Sequence, residues 1–304
     1  MDAAEHIGEL NRRFGVAGVA EIAAGNGGLP LVRITSGAAA AEISLYGAQV
    51  LRWRPADAEE VLFLSERSRW ELGAAIRGGI PVCFPWFRDK ADDPRAPKHG
   101  FVRTKRWRLD SLRADEDGTV TLVCVTGSDD ETRRWWPHEF LLEYRMRVGR
   151  TLRLEMSVVN RGTSVLRFEE ALHTYFHVAD VHSARVAGLD GAGYLDNMDG
   201  NRAKTQQGEL QMTQQTDNAY METTETVELI DPVLGRRLRT EKSNSASTVV
   251  WNPWREGAAG MQDMEPGAWQ RMLCVEASNV LGCAVQLEPG EEHTLRATLS
   301  VEAE

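Results

Sequence analysis

The chain has 304 residues, of which 42% are hydrophobic and 26% charged, the composition of an ordinary globular protein and enough chain for one large core. Its 35 basic and 45 acidic residues leave a formal charge of −10, which argues against non-specific binding to nucleic acid or to an anionic membrane; an anionic ligand would have to find a local basic pocket. No run of 18 apolar residues occurs, so nothing reads as a membrane-spanning helix.

The N-terminal stretch MDAAEHIGELNRRFGV is acidic from position 2 and has no apolar centre, so it does not read as a secretory signal. Ile7, Leu10 and Phe14 recur at helical spacing and predict a short helix over 3–14, part of an extension (1–28) packed on the body. From about residue 29, Gly, Pro, Asn and Asp punctuate short alternating runs, the rhythm of antiparallel strands. Strands are predicted at 31–36, 41–47, 106–114, 119–127, 140–149, 151–162 and 293–304, with Gly149-Arg150 as a two-residue hairpin connection. A second helical window falls at 68–75. Strands do not alternate with long helices, so a parallel α/β sheet is not expected. The expectation is all-β, a large antiparallel β-sandwich forming one domain over 1–304, with 198–220 as a long surface excursion.

Cys83, Cys124, Cys274 and Cys283 are each flanked by apolar residues and form no CxxC pair, so they read as reduced core residues of a cytoplasmic protein.

Four segments depart from the alternating pattern. In IRGGIPVCFPWF (76–87), two Gly and two Pro fix the backbone beside Arg77; taken alone, the segment reads first as a buried structural loop with an exposed Arg, since Gly and Pro are usually structural punctuation. PKHGFVRTKRW (97–107) gathers Lys98, His99, Arg103, Lys105 and Arg106 in an otherwise acidic chain. A solvated basic turn explains such a cluster, and so does a phosphate site if it lies beside Arg77, because the planar guanidinium fork suits phosphate. In EEALHTYFHV (169–178), His173, Tyr175 and His177 share a face if the segment is a strand. A zinc site there lacks its intervening Glu and a third ligand at useful spacing, so no metal is expected. In RMLCVEAS (271–278), Glu276 sits within an apolar strand, where a carboxylate needs a reason to be buried: a structural ion pair, or a general base tuned by desolvation. VVWNPW (249–254) reads as a rigid aromatic turn at a pocket edge, suited to the C–H faces of a sugar.

RGGIPVCFPWF, KHGFVRTKRW, RWWPHEF, ALHTYF, TDNAY, VVWNPW, MQDMEPG and CVEA occur in the order in which hexose-6-phosphate mutarotases carry close equivalents. From about residue 30 to the C-terminus the chain resembles this glucose-6-phosphate 1-epimerase group of the aldose 1-epimerase family. The resemblance implies a galactose-mutarotase-like β-supersandwich that interconverts the α and β anomers of a hexose phosphate without metal or organic cofactor. It places the catalytic His at His173 and the catalytic Glu at Glu276, and substrate contacts at Arg77, Lys98, Arg103 and Asp217. Position 98 looks like Gln in some relatives, so Lys98 is a departure that adds a charge. His99 matches an HG element shared with mutarotases of unphosphorylated sugars, where a His contacts the ring.

The chemistry fits these residues on its own terms: one group takes the proton of the C1 hydroxyl while another protonates the ring oxygen. The expected roles are Glu276 as base and His173, protonated at the start, as acid. Competing readings are a mutarotase of unphosphorylated aldoses, which the basic cluster disfavours, and a non-catalytic sugar-binding protein on the same scaffold, against which the His–Glu pair weighs. The expected partner is a small hexose phosphate bound by a monomer, with neither nucleic acid nor membrane involved.

Overall fold

The computed structural model describes residues 3–303. A helix over Ala3–Phe14 opens the chain and packs Ile7, Leu10 and Phe14 against the core, as their spacing predicts. All seven predicted strands are present, within one or two residues at most ends. Every named strand pair is antiparallel. A nine-stranded sheet runs in the order Leu210–Gln211, Arg185–Ala187, Val227–Asp231, Arg236–Ser243, Glu292–Ala303, Leu152–Asn160, Phe140–Val148, Val120–Gly127 and Arg108–Ala114. A second large sheet runs Arg202–Thr205, Gly193–Asp196, Thr216–Met221, Ser247–Asn252, Met272–Asn279, Glu170–Leu172 and Val82–Cys83, and Tyr175–His177 also pairs with Met272–Asn279. A four-stranded sheet formed by residues 20–55 lies at the N-terminal end. This is the galactose-mutarotase-like β-supersandwich with a short N-terminal helix.

Alternation explains the core. Leu142, Tyr144, Met146 and Val148 on one strand, and Leu152, Leu154, Met156 and Val158 on its neighbour, are fully buried, while the residues between them are not. The strand Met272–Asn279 differs in being buried along its whole length. It lies in the interior of its sheet, which pairs both of its edges, and the burial of every residue shows that both of its faces are covered as well.

Three local expectations are corrected. Residues 68–75 form turns, with Gly73 at φ +88° and Tyr46 Oη accepting from Gly73 N–H and donating to Ala74 C=O. The polar stretch 198–220 is no excursion: it contributes Arg202–Thr205 and Thr216–Met221 to the second sheet. The hairpin at Gly149 has a three-residue connection, since Val148 pairs with Leu152 and Gly149 N–H donates to Thr151 C=O. Among the described residues, no helix is long and apolar enough to cross a membrane. The four cysteines are free; Cys83, Cys124 and Cys274 are buried and Cys283 is partly so. Burial pushes the Cys124 thiol up to about 12.

Candidate active site

Glu276 projects from the centre of the buried strand Met272–Asn279, across from Val249 on one side. On the other side, Glu170–Leu172 and Tyr175–His177 pair with the same strand in one continuous register. His173 and Thr174 fall in the gap, which places His173 opposite Glu276. The His173 backbone leaves the ladder and donates instead to Pro81 C=O.

His173 Nδ1 lies 3.3 Å from Glu276 Oε1, yet neither these atoms nor Glu276 Oε2 has a hydrogen-bonding partner among the described residues. Unpaired buried polar atoms are rare and call for an explanation. Burial pushes Glu276 well above the usual carboxylate range, with Asp217 adding to the rise and Arg88 and Arg103 opposing it. Burial, with Arg103 and Arg77 behind it, pulls His173 down to about 3. Desolvation thus disfavours both charged forms and favours the carboxylic acid and the neutral imidazole. The expectation that His173 is protonated at the start runs against this direction, because desolvation disfavours both charged forms. The proton count is nonetheless that of a carboxylate and an imidazolium: one proton for two sites.

The pair opens onto a cavity of about 330 Å³ lined by Arg77, Phe87, Arg88, Asp89, Lys98, His99, Arg103, His173, Asn197, Asp217, Val249, Trp251, Met261 and Glu276. All seven residues singled out from the sequence are brought together here. Arg77 is held by Asp263, with Nε at 3.2 Å and Nη2 at 3.0 Å from Oδ2, and its Nη1 donates to Tyr175 Oη at 2.8 Å. Burial works against its charge, but Tyr175 and Asp263 outweigh burial and raise its pKa. The Tyr175 ring stacks on His173 with centroids 4.8 Å apart and planes 10° apart, so Arg77 and Tyr175 brace the imidazole. His177 carries its ring outside the cavity lining, although its backbone belongs to the same strand.

The segment 98–103 is aimed by two left-handed residues. Gly100 sits at φ +73°, where a Cβ would lie 1.8 Å from Phe84 O, so only glycine fits. His99, at φ +62°, donates its N–H to Arg88 C=O and accepts Arg88 N–H at Nδ1 (3.1 Å). Burial first, then Arg103, keeps the His99 imidazole neutral, so its proton rests on Nε2 as a donor. Asp217 Oδ1 accepts from Arg88 Nη2 at 2.6 Å and Oδ2 from Asn197 Nδ2 at 2.7 Å. Lys98 pairs with Asp89 at the exposed rim. Arg103 donates only to Lys98 C=O and has no carboxylate partner among the described residues. The cavity thus carries one uncompensated guanidinium close to the His–Glu pair.

Arg88, Asn197 and Asp263 were not found from the sequence. MQDMEPG was recognised as a motif without a role for its Asp, and nothing in FRDK distinguishes Arg88. Of the VVWNPW aromatics, Trp251 lines the cavity, while Trp254 packs on Trp269 and His182. Glu169, given no role from sequence, accepts N–H groups of Phe87 and Leu281 and so ties the cavity wall to the sheet.

The fold also brings Cys274 to His173 and Glu276, with three ligand atoms within 4.8 Å of one another, a third partner that sequence spacing did not show. Burial raises the thiol well above its usual value, and the guanidiniums of Arg77 and Arg103 act on the pair as like charges to any cation. Such a site suits a shared proton better than a metal, whose ligands must deprotonate.

Similarity to known proteins agrees with this geometry. A protein of Cenchrus ciliaris named "Putative glucose-6-phosphate 1-epimerase" is 33% identical over 269 residues, covering 86% of this chain and 80% of that protein. One of the same name from Escherichia coli (strain K12) is 34% identical over 239 residues, covering 78% of this chain and 79% of its own. The crystal structure of a "putative mutarotase" from Salmonella typhimurium superposes with a TM-score of 0.89 at 28% identity, covering 96% of each chain. The family model for aldose 1-epimerase matches residues 30–300, a span that takes in both members of the buried His–Glu pair and every lining residue around it, and the chain belongs to that family.

Proposed function

We propose that this aldose epimerase is a cytoplasmic hexose-6-phosphate mutarotase acting on glucose 6-phosphate. The observation that carries the reading is the uncompensated Arg103 guanidinium in the same cavity as an unpaired His173–Glu276 couple. A sugar phosphate supplies what this cavity lacks, an anion for Arg103 and hydroxyls for the two unpaired groups. Arg103, with Arg77 and Lys98 adding positive field, binds the 6-phosphate. Asp217 accepts from ring hydroxyls, and the Nε2–H of His99 donates to a ring oxygen.

Occupation of the cavity redistributes the shared proton. The phosphate offsets the positive charge that disfavours imidazolium, and sugar hydroxyls solvate the carboxylate, so the proton passes from Glu276 to His173. Glu276 then takes the C1 hydroxyl proton while His173 protonates the ring oxygen and the C1–O5 bond breaks. The open-chain aldehyde rotates about C1–C2, and the reverse transfers close the ring on the other face. Atoms and charge balance within the pair, so the cycle ends as it began.

The test is anomer exchange of glucose 6-phosphate by NMR magnetisation transfer between the α and β C1 protons, with glucose run alongside. Exchange should be accelerated for the phosphorylated sugar and fall by about 10²–10⁴-fold in Glu276→Gln or His173→Ala. Equal acceleration of glucose would assign a mutarotase of unphosphorylated aldoses, and acceleration of neither sugar would leave a sugar-binding protein.

A further inference from the structure

Arg88 belongs to no catalytic or substrate-binding role assigned above, yet it is bonded to two other residues of the cavity lining, Asp217 and His99. Its guanidinium meets Asp217 Oδ1 at 2.6 Å and Asn201 Oδ1 at 3.2 Å, and lies 5.7 Å from the Phe87 ring centroid. Its backbone, left-handed at φ +61°, exchanges two hydrogen bonds with His99. Two adjoining left-handed non-glycine residues locking each other beside a reactive pair are strain of the kind that folds retain at functional positions. The Arg88 and Asp217 side chains are each only 16% exposed, so their pairing is not a rim contact.

We propose that Arg88 is a positioning residue of the site: it fixes the Asp217 carboxylate toward the sugar and offsets the repulsion that this carboxylate exerts on Glu276. This deepens, and for its effect on turnover rests on, the mutarotase reading. Glu276 must ionise to act as base. The groups acting on it are His173 across the strand gap, Cys274 on its own strand, Cys83 from Val82–Cys83, Asp217 from Thr216–Met221, and Arg88 and Arg103 from the two loops. Of the charged ones, Asp217 is the anion that opposes ionisation. Arg103 is claimed by the phosphate once substrate binds, which leaves Arg88 as the standing counterweight. An ion pair held at Asp217 also keeps that carboxylate in one place while the aldehyde rotates, so a single residue couples sugar recognition to the readiness of the base.

The deciding experiment is the titration of the Glu276 carboxyl by 13C NMR in substrate-free protein, its signal assigned by absence in E276Q. Relative to wild type, R88Q should raise the midpoint by about one unit or more, and D217N should lower it; R88K should stay near wild type. In exchange of glucose 6-phosphate, R88Q should lower kcat about tenfold per unit, more than it changes KM, and move the acid limb to higher pH. A Glu276 midpoint unmoved in R88Q, or moved as far in R88K, overturns the proposal. If the wild-type protein does not exchange glucose 6-phosphate, the mutarotase reading fails while the titration still decides the role of Arg88.

Discussion

Arg77, Arg88 and Lys98 each meet a carboxylate, from Asp263, Asp217 and Asp89 respectively, and Arg103 meets none among the described residues. Coulomb energy gained by bringing an anion into the cavity therefore concentrates on Arg103, whose partners otherwise amount to one carbonyl. Arg103→Ala should lower the ratio of kcat/KM for glucose 6-phosphate over glucose by ten- to a hundredfold, the scale of a hydrogen bond to a charged group, about 1.5–3 kcal/mol. An unchanged ratio, measured by NMR exchange with both sugars, would move phosphate selection elsewhere. His173 and Glu276 were legible from sequence because each breaks the apolar pattern around it and because eight motifs occur in family order. Arg88 and Asp263 were not, because their partners lie 129 and 186 residues away along the chain.

At the scale of elements, period-2 alternation was sufficient to find strands wherever one face is buried and the other wet, as in Phe140–Val148 and Leu152–Asn160. It failed where both faces are polar or where a helix is very short. Arg202–Thr205 reads as loop because its side chains are mostly exposed, and Thr216–Met221 because Thr216, Asp217 and Asn218 interrupt the apolar pattern of a strand that is in fact largely buried. Asp130–Trp135 is a six-residue helix whose only signal is local: Asp129 and Thr132 form a reciprocal capping box. Residues 68–75 show helical spacing but are held as turns by the Tyr46 hydroxyl. The loop carrying His99 and Arg103 depends on Gly100 in a conformation that an L side chain enters only at about 1–2 kcal/mol, before the contact with Phe84 is counted. Gly100→Ala should lose more than about 2 kcal/mol in urea unfolding and reduce turnover with it. A variant as stable as wild type would show that this backbone accommodates a Cβ without displacing Phe84.

Across the whole molecule, the same burial that packs the sheets sets the pH response of stability. Glu276 has a raised pKa in the fold, so its contribution is fully present below the unfolded carboxyl value and is lost as pH rises toward its folded value. His173 is depressed to about 3, so its contribution is present above the unfolded imidazole value near 6.5 and is lost as pH falls from there toward 3. Glu276→Gln, which cannot ionise, should gain thermal stability relative to wild type at pH 8 and show no such gain at pH 4, while losing catalysis. Calorimetry at the two pH values checks this; a gain independent of pH would mean that Glu276 is not held protonated by the fold.

The amino-acid sequence by itself determined the all-β class, the N-terminal helix, the long strands and seven candidate residues that the fold gathers in one cavity, because hydrophobic periodicity and motif order are properties of neighbours in the chain. Only the tertiary structure decided which carboxylate neutralises which guanidinium, that His173 and Glu276 face each other buried at one cavity, and that Arg88 stands beside Asp217. Those facts depend on desolvation by packed sheets and on distances between residues far apart in sequence, and no local pattern encodes either.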